Sequence, residues 1–474
     1  MQSSKLYSIL YNFDKYEQNR LKKFLTSPYF NRNEALVMLY DLLISHINEK
    51  SQSALEKIDL WNQIYQGESY DDVLFRKNCS DLLKLVEDFL AQQVFEENPI
   101  HQATYLIEAV AKKKLEKLYN SSMKSARRLT EQQPYRTATY YLLQYQVEKN
   151  YYDLLSLEHD RTTKKNEEVI LSNLDRFFVA EKLRFACSVM SQKTLVSHEY
   201  DLLLMDEIVA EVKKGELDDV PPVAVYFQIY LTYIDAENTA HYFKLMGTLE
   251  KYGDLFPKAE AEFIYQAALN YCVKNLNKGS RQFLEEYFNV FNILLKKDLL
   301  LAEGELSPWH FRNIVVIALR LGKYDWTERF IHDFKRKLPE SMRENAVSFN
   351  LAQLYFSQKR FDKVIELLRT VEYEDFTYNL NSKTMLLSTY YETDEIEPLY
   401  SFMDSFRTYL NRHKDFSASR RILYTNLIKF TKQLTKIIPG DKKAIEKLKK
   451  EVEEAEPKGI ASITWLKEKI AELE

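Results

Sequence analysis

The stretch NLAQLYFSQKRFDKVIELL, Asn350 to Leu368, sets its large apolar residues at three- and four-residue steps, changes direction at Gln358 to Arg360, and resumes the same spacing. Two amphipathic helices joined by a tight turn have this pattern. It recurs along the chain. A shift of 37 residues upstream brings Asn350-Leu351 onto Asn313-Ile314, Phe361-Asp362 onto Tyr324-Asp325 and Leu367-Leu368 onto Phe330-Ile331. A shift of 35 downstream brings Tyr355-Phe356 onto Tyr390-Tyr391 and Phe361 onto Ile396. One such hairpin cannot bury its own apolar face, so successive copies must stack.

The rest of the chain is consistent with that constraint. It has 474 residues, well past the roughly 250 to 300 at which a single compact core stops growing. Yet it has only 9 glycines and 11 prolines, where average usage would supply about 33 and 24. Folds that need many tight turns or glycine-rich phosphate loops are therefore excluded, and helices with short joints are expected. The 33 tyrosines and 27 phenylalanines are read first as fillers of wide spaces between helices. Net charge is -4 with the signs mixed, so no global field draws the chain to nucleic acid. Cys79, Cys187 and Cys272 are odd in number and far apart, as expected of buried thiols in a reducing cytoplasm. Charges at Asp14, Lys15 and Glu17 argue against a signal peptide, and FNVFNILLKKDLLLA, the richest apolar window, is too interrupted for a membrane span.

Helix starts are marked by capping-box patterns at Asp14-Glu17, Ser53-Glu56 and Ser341-Glu344, and by Ser307 before Pro308. About twenty helices and no strand are expected. Breaks in the pattern suggest a helical head at residues 1–100, longer helices at 101–220 opening the helical array, repeats at 221–438, and charged terminal helices at 439–474. In the last of these, Trp465, Leu466 and Ile470 would dock the chain end on the stack.

The repeat resembles the tetratricopeptide repeat, most closely over residues 309–412. Leu351, Ala352, Tyr355, Phe361, Val364 and Leu368 fill that family's characteristic places; Val315 and Leu387 replace its small first-helix residue, while Val364 and Leu399 replace its second-helix alanine. The resemblance implies an all-α fold, a right-handed superhelix of antiparallel hairpins whose first helices line a concave groove for a partner segment. In that register Asn313 and Asn350 would contact the partner's main chain, flanked by Arg312, Phe349, Gln353 and Phe356. The lysines with which some family members clamp a carboxylate are not evident.

Other chemistry is sparse. Eight histidines include no pair at metal-ligand spacing, no phosphate loop or nucleophile elbow occurs, and no cofactor is expected. Neighbouring acids such as Asp71-Asp72 read as cap residues. Residues 108–136 hold eight lysines and arginines against three acids, and on one helix Lys113, Lys117, Lys124 and Arg128 would share a face able to track phosphates. In the head, SYDDVLFRKNCSDLLKLVEDFL reads as a turn and an amphipathic helix that offers Leu82, Leu83, Val86 and Phe89 as core rather than as part of a DNA-reading element. The resulting expectation is a cytoplasmic, non-enzymatic scaffold or adaptor that binds another protein, with nucleic-acid association through residues 108–136 as the alternative and no membrane partner.

Overall fold

The computed structural model describes residues 1–49, 54–155, 166–193, 200–368, 376–413 and 417–474. Among them are twenty-three α-helices and a single two-stranded hairpin, so the fold class is all-α. No described helix is long and apolar enough to cross a membrane. The chain divides into two compact units, residues 1–185 with 202–224, and residues 186–201 with 225–474.

The first unit opens with α1 (Lys5–Tyr11), α2 (Lys15–Thr26), α3 (Glu34–Asn48), α4 (Lys57–Ile64) and the long α5 (Asp72–Glu97). Asp14 and Glu17 form the expected reciprocal cap at the start of α2, with bonds of 2.8 and 2.9 Å. The Ser53 pattern begins outside the described residues. Asp71 caps α5 by accepting from the amides of Val73 and Leu74, while Asp72 accepts from the Tyr70 hydroxyl and pairs with Arg76. Phe75, Leu82, Val86 and Phe89 of α5 are buried in one core with Leu21, Leu39, Leu43 and Trp61, so this face is packing surface.

After α5 come α6 (Pro99–Lys113), α7 (Glu116–Glu131), α8 (Ala138–Leu155), α9 (Glu167–Lys193), α10 (Met205–Val212) and α11 (Pro221–Ile234), of which α9 and α11 each end in the second unit. The second unit continues with α12 (Ala240–Tyr252), α13 (Lys258–Asn277) and α14 (Gln282–Lys296). Many of the rings do fill space between helices: Tyr242 stacks on Tyr271 at 5.5 Å and meets Phe283 edge-on at 5.3 Å, all three buried. Cys187 and Cys272 are buried, and burial pushes both thiols up, Cys272 to about 12.

One departure from the helical expectation lies at residues 301–306, where β1 (Leu301–Ala302) pairs antiparallel with β2 (Glu305–Leu306). Glu303 and Gly304 between them both have positive φ, 51° and 85°, as a two-residue hairpin loop requires.

The hairpins then follow in order: α15 (Pro308–Arg320) with α16 (Tyr324–Phe334), α17 (Glu340–Ser357) with α18 (Phe361–Leu368), and α19 (Phe376–Glu392) with α20 (Ile396–Arg412). Helices pack within each hairpin, and α15 packs on α17 and α17 on α19. Ser307 precedes Pro308 as expected, though its side chain makes no capping bond. The Ser341-Glu344 pattern is not a cap, because the helix begins earlier, at Glu340, directly after Pro339.

The three turns share one geometry in register with the repeat. Gly322, Lys359 and Asp394 take left-handed φ of 68°, 58° and 57°. In each turn the following amide reaches back five residues: Lys323 to Ala318, Arg360 to Tyr355 and Glu395 to Tyr390, at 2.8 to 3.1 Å. This is the Schellman closure of a helix end, and only one of its three sites is glycine. The unit ends with α21 (Ala418–Leu434), α22 (Lys442–Ala455) and α23 (Ile463–Glu472), whose Leu427, Ile428, Leu448, Leu466 and Ile470 join one core with Leu399, Met403 and Phe406 of α20.

A Cβ at Gly322 would meet nothing within 4 Å, so Gly322→Ala isolates the backbone term. It should lower unfolding free energy by about 1 kcal/mol, the left-handed penalty less the entropy that alanine removes from the unfolded chain. Urea titration checks this, and an unchanged midpoint would contradict the turn geometry.

Candidate functional site

The first helices of the three hairpins enclose one open groove of about 640 Å³. From α15 it takes Arg312, Val316, Leu319 and Arg320. From α17 it takes Phe349, Gln353, Phe356 and Ser357, each 37 residues after its α15 counterpart. From α19 come Asn381, Thr384, Met385 and Ser388, of which Thr384 and Ser388 follow Phe349 and Gln353 by 35. The groove therefore exposes the same helical face, repeated three times. Steps of four, seven and eight residues keep that face on one side of each helix.

Four of the six residues expected at a partner site, Arg312, Phe349, Gln353 and Phe356, line this groove. Asn313 and Asn350 do not. Asn313 is half-buried outside the lining. Asn350 is completely buried and donates through Nδ2 to the Ala346 carbonyl at 2.7 Å, which corrects the expectation that its amide faces a partner. One residue along a helix is a rotation of about 100°, and that step carries both asparagines off the groove face. Phe349 is also fully buried, in a cluster with Ala352, Val364 and Leu368, so it forms floor more than a projecting anchor. Phe356 is half-buried and meets Phe361 edge-on at 5.7 Å.

Arg312 is held between rings, its guanidinium carbon 5.9 Å from the centroid of Trp309 and 6.0 Å from that of Phe349. Both distances suit cation–π attraction. Its Nε, with Gln353 Oε1 and Thr384 Oγ1, is buried without a hydrogen-bond partner, and all three residues belong to the one lining.

The fourth wall is the start of α23, which contributes Thr464, Trp465 and Glu468, with Ser462 just before it. Leu466 and Ile470 are buried and Trp465 is half-buried, so the chain end docks as the apolar spacing predicted. Its polar anchor was not legible in sequence. Trp465 Nε1 donates to Glu392 at 2.8 Å, Tyr391 meets the indole edge-on at 5.5 Å, and Lys469, only 5% exposed, bonds Glu392 at 3.0 Å and Glu472 at 2.7 Å. Burial pulls the Lys469 ammonium pKa down, but its bonds to Glu472 and Glu392 outweigh this and leave it raised.

The basic segment is arranged differently from the single face expected. Lys114 adopts a left-handed φ of 55° and ends α6, so Lys113 belongs to that helix and Lys117, Lys124 and Arg128 to α7. Those three are exposed, seven and four residues apart on one face. Lys124 and Arg128 line a second groove of about 650 Å³ with Asn120, Ser121, Ser125 and Glu131. Arg127, also exposed and in the lining, is tied up by the buried Glu148, which it bonds bidentately at 2.8 and 2.9 Å, and it lies over the Tyr151 ring. Among the described residues no three His, Cys, Asp or Glu side chains converge as metal ligands, and His159 and His198 lie outside those residues.

Removing Glu392 leaves a buried ammonium with one carboxylate fewer and an indole N–H without an acceptor. Glu392→Ala should therefore cost about 2 to 3 kcal/mol in urea unfolding. Lys467→Ala, which breaks a half-exposed pair with Glu456, should cost under about 1 kcal/mol. Equal losses would contradict the anchoring role. Comparisons with protein-family models, curated proteins and solved structures find no match to this chain.

Proposed function

We propose that this chain is a non-enzymatic adaptor, acting in the cytoplasm, that holds a segment of another protein in the groove between α15, α17, α19 and α23. The supporting observation is the repetition of the lining: residues 312, 316, 319 and 320 return as 349, 353, 356 and 357 on a neighbouring helix. A surface built from one helical face, open to solvent and mixing rings, amides and cations, suits an elongated partner better than a small substrate. The hairpin order and the turn geometry support a tetratricopeptide-like superhelix as the frame. Among the described residues the groove lining includes no histidine or cysteine and one carboxylate, Glu468, which favours binding over acid–base chemistry.

A second reading rests on α7. Lys117, Lys124 and Arg128 share a face and have no carboxylate within ion-pair distance among the described residues, so they are free to follow phosphates. Three phosphate contacts would give log affinity for duplex DNA a slope of roughly -2.7 against log salt, and Lys124→Glu would make it shallower by about one unit. A gel shift with a 20-base-pair duplex at several salt concentrations measures this. The absence of a shift at low salt removes this reading.

For the groove, Phe356→Ala removes a half-buried ring from the lining. It should weaken a bound partner segment by about tenfold to a hundredfold, while a substitution of exposed Arg336 or Lys337 leaves binding unchanged. Isothermal titration calorimetry makes the comparison, and equal effects would contradict the groove assignment.

A further inference from the structure

The groove's charges are unbalanced in a way that specifies its occupant, if the adaptor reading above holds. Arg312 and Arg320 both face into it from α15, eight residues and therefore about 12 Å apart along the helix. Neither has a carboxylate within ion-pair distance among the described residues. Between them the same helix presents Val316 and Leu319, and across the groove stand Phe356 and Met385. The wall thus reads cation, apolar stripe, cation. Arg312 is also preorganised by the two rings that flank it, which lowers the entropy lost when it takes a bidentate partner.

The unspent atoms bear on the partner's backbone. Gln353 and Thr384 line the groove, and their Oε1 and Oγ1 atoms, buried and without a hydrogen-bond partner, reach a bound main chain once the side chains turn outward. A bound helix consumes its own main-chain groups internally, whereas an extended segment offers a free N–H and C=O at every residue. Four residues of extended chain span about 13 Å, which matches the separation of the two guanidinium-bearing positions.

We propose that the groove between α15, α17, α19 and α23 receives an extended segment of another protein carrying two carboxylate side chains about four residues apart, with large apolar side chains between them. The carboxylates pair with Arg312 and Arg320. The apolar residues cover Val316, Leu319, Phe356 and Met385, and the partner's main chain meets Gln353 and Thr384. Glu468, on the opposite wall, disfavours additional acids on the far side of the segment.

The test is selection of a phage-displayed library of random dodecapeptides on the immobilised full chain, followed by fluorescence anisotropy of the enriched peptides. Enriched sequences should carry Asp or Glu four residues apart around Leu, Ile, Phe or Met. Their affinity should fall at least tenfold in Arg320→Glu and Arg312→Glu and weaken with added salt, and peptides with lysine in place of only the acid that faces residue 320 should recover binding to Arg320→Glu. Arg320 is exposed, so Arg320→Glu keeps the fold, and a thermal melt confirms it. Enrichment of neutral, basic or helix-forming peptides that Phe356→Ala weakens but Arg320→Glu does not would overturn the acidic segment while leaving the groove as a binding site. Self-association of the chain abolished by Arg320→Glu would replace the foreign partner with a second copy. Finding no peptide that either Phe356→Ala or Arg320→Glu weakens would overturn the groove reading, and this proposal with it.

Discussion

The second unit depends on the inability of any one hairpin to bury its own apolar face. A helix such as α18 offers Val364 and Leu368 to the interior, and these are buried because Phe349 and Ala352 of α17 and Leu386 of α19 close over them. Burial of a side chain of this size is worth about 1.5 to 3 kcal/mol, so each added hairpin stabilises the one before it. The last hairpin has no successor. There α21, α22 and α23 supply the missing apolar face, and the buried Lys469–Glu392 pair fixes where the terminal helix sits.

The groove follows from the same constraint. Because a 37-residue step returns the chain to the same rotation, whatever side chain occupies the inner face of α15 is answered at the same place on α17. Turn geometry preserves that step. Lys359 and Asp394 adopt the left-handed conformation that glycine takes at Gly322, even though a side chain makes it unfavourable by about 1 to 2 kcal/mol. The five-residue closing bonds and the packing on either side hold them there. In the adaptor proposed above, binding would be a property of the stack and not of any single side chain.

Much of this was legible from the order of residues. The hairpins around residues 309–412, the Asp14 cap, the α5 core stripe and the docking of Leu466 and Ile470 all follow from local spacing. Arg312, Phe349, Gln353 and Phe356, which the register of the resemblance set beside a partner segment, do line one groove. That register does not fix which of two adjacent positions points inward: it sets Asn313 and Asn350 on the groove face, whereas Asn350 lies in the core. Val316 and Leu319 stand 37 residues before Gln353 and Phe356 and follow from the same shift, whereas Arg320 answers Ser357, a position to which the resemblance gives no role. The break at Lys114 carried neither glycine nor proline to mark it, and the Glu303-Gly304 turn was hidden within an apolar run. The α23 wall depends on a contact between residues more than seventy positions apart, which no local period encodes.

The most direct measurement of the central claim is a methyl NMR spectrum of the chain with ε-labelled methionine, recorded before and after addition of a bound peptide. Met385 lines the groove, while Met342 and Met38 are exposed elsewhere. Occupancy of the groove predicts a shift or broadening at Met385 with Met342 and Met38 unmoved. A saturating peptide that leaves Met385 in place and perturbs the others would contradict the account.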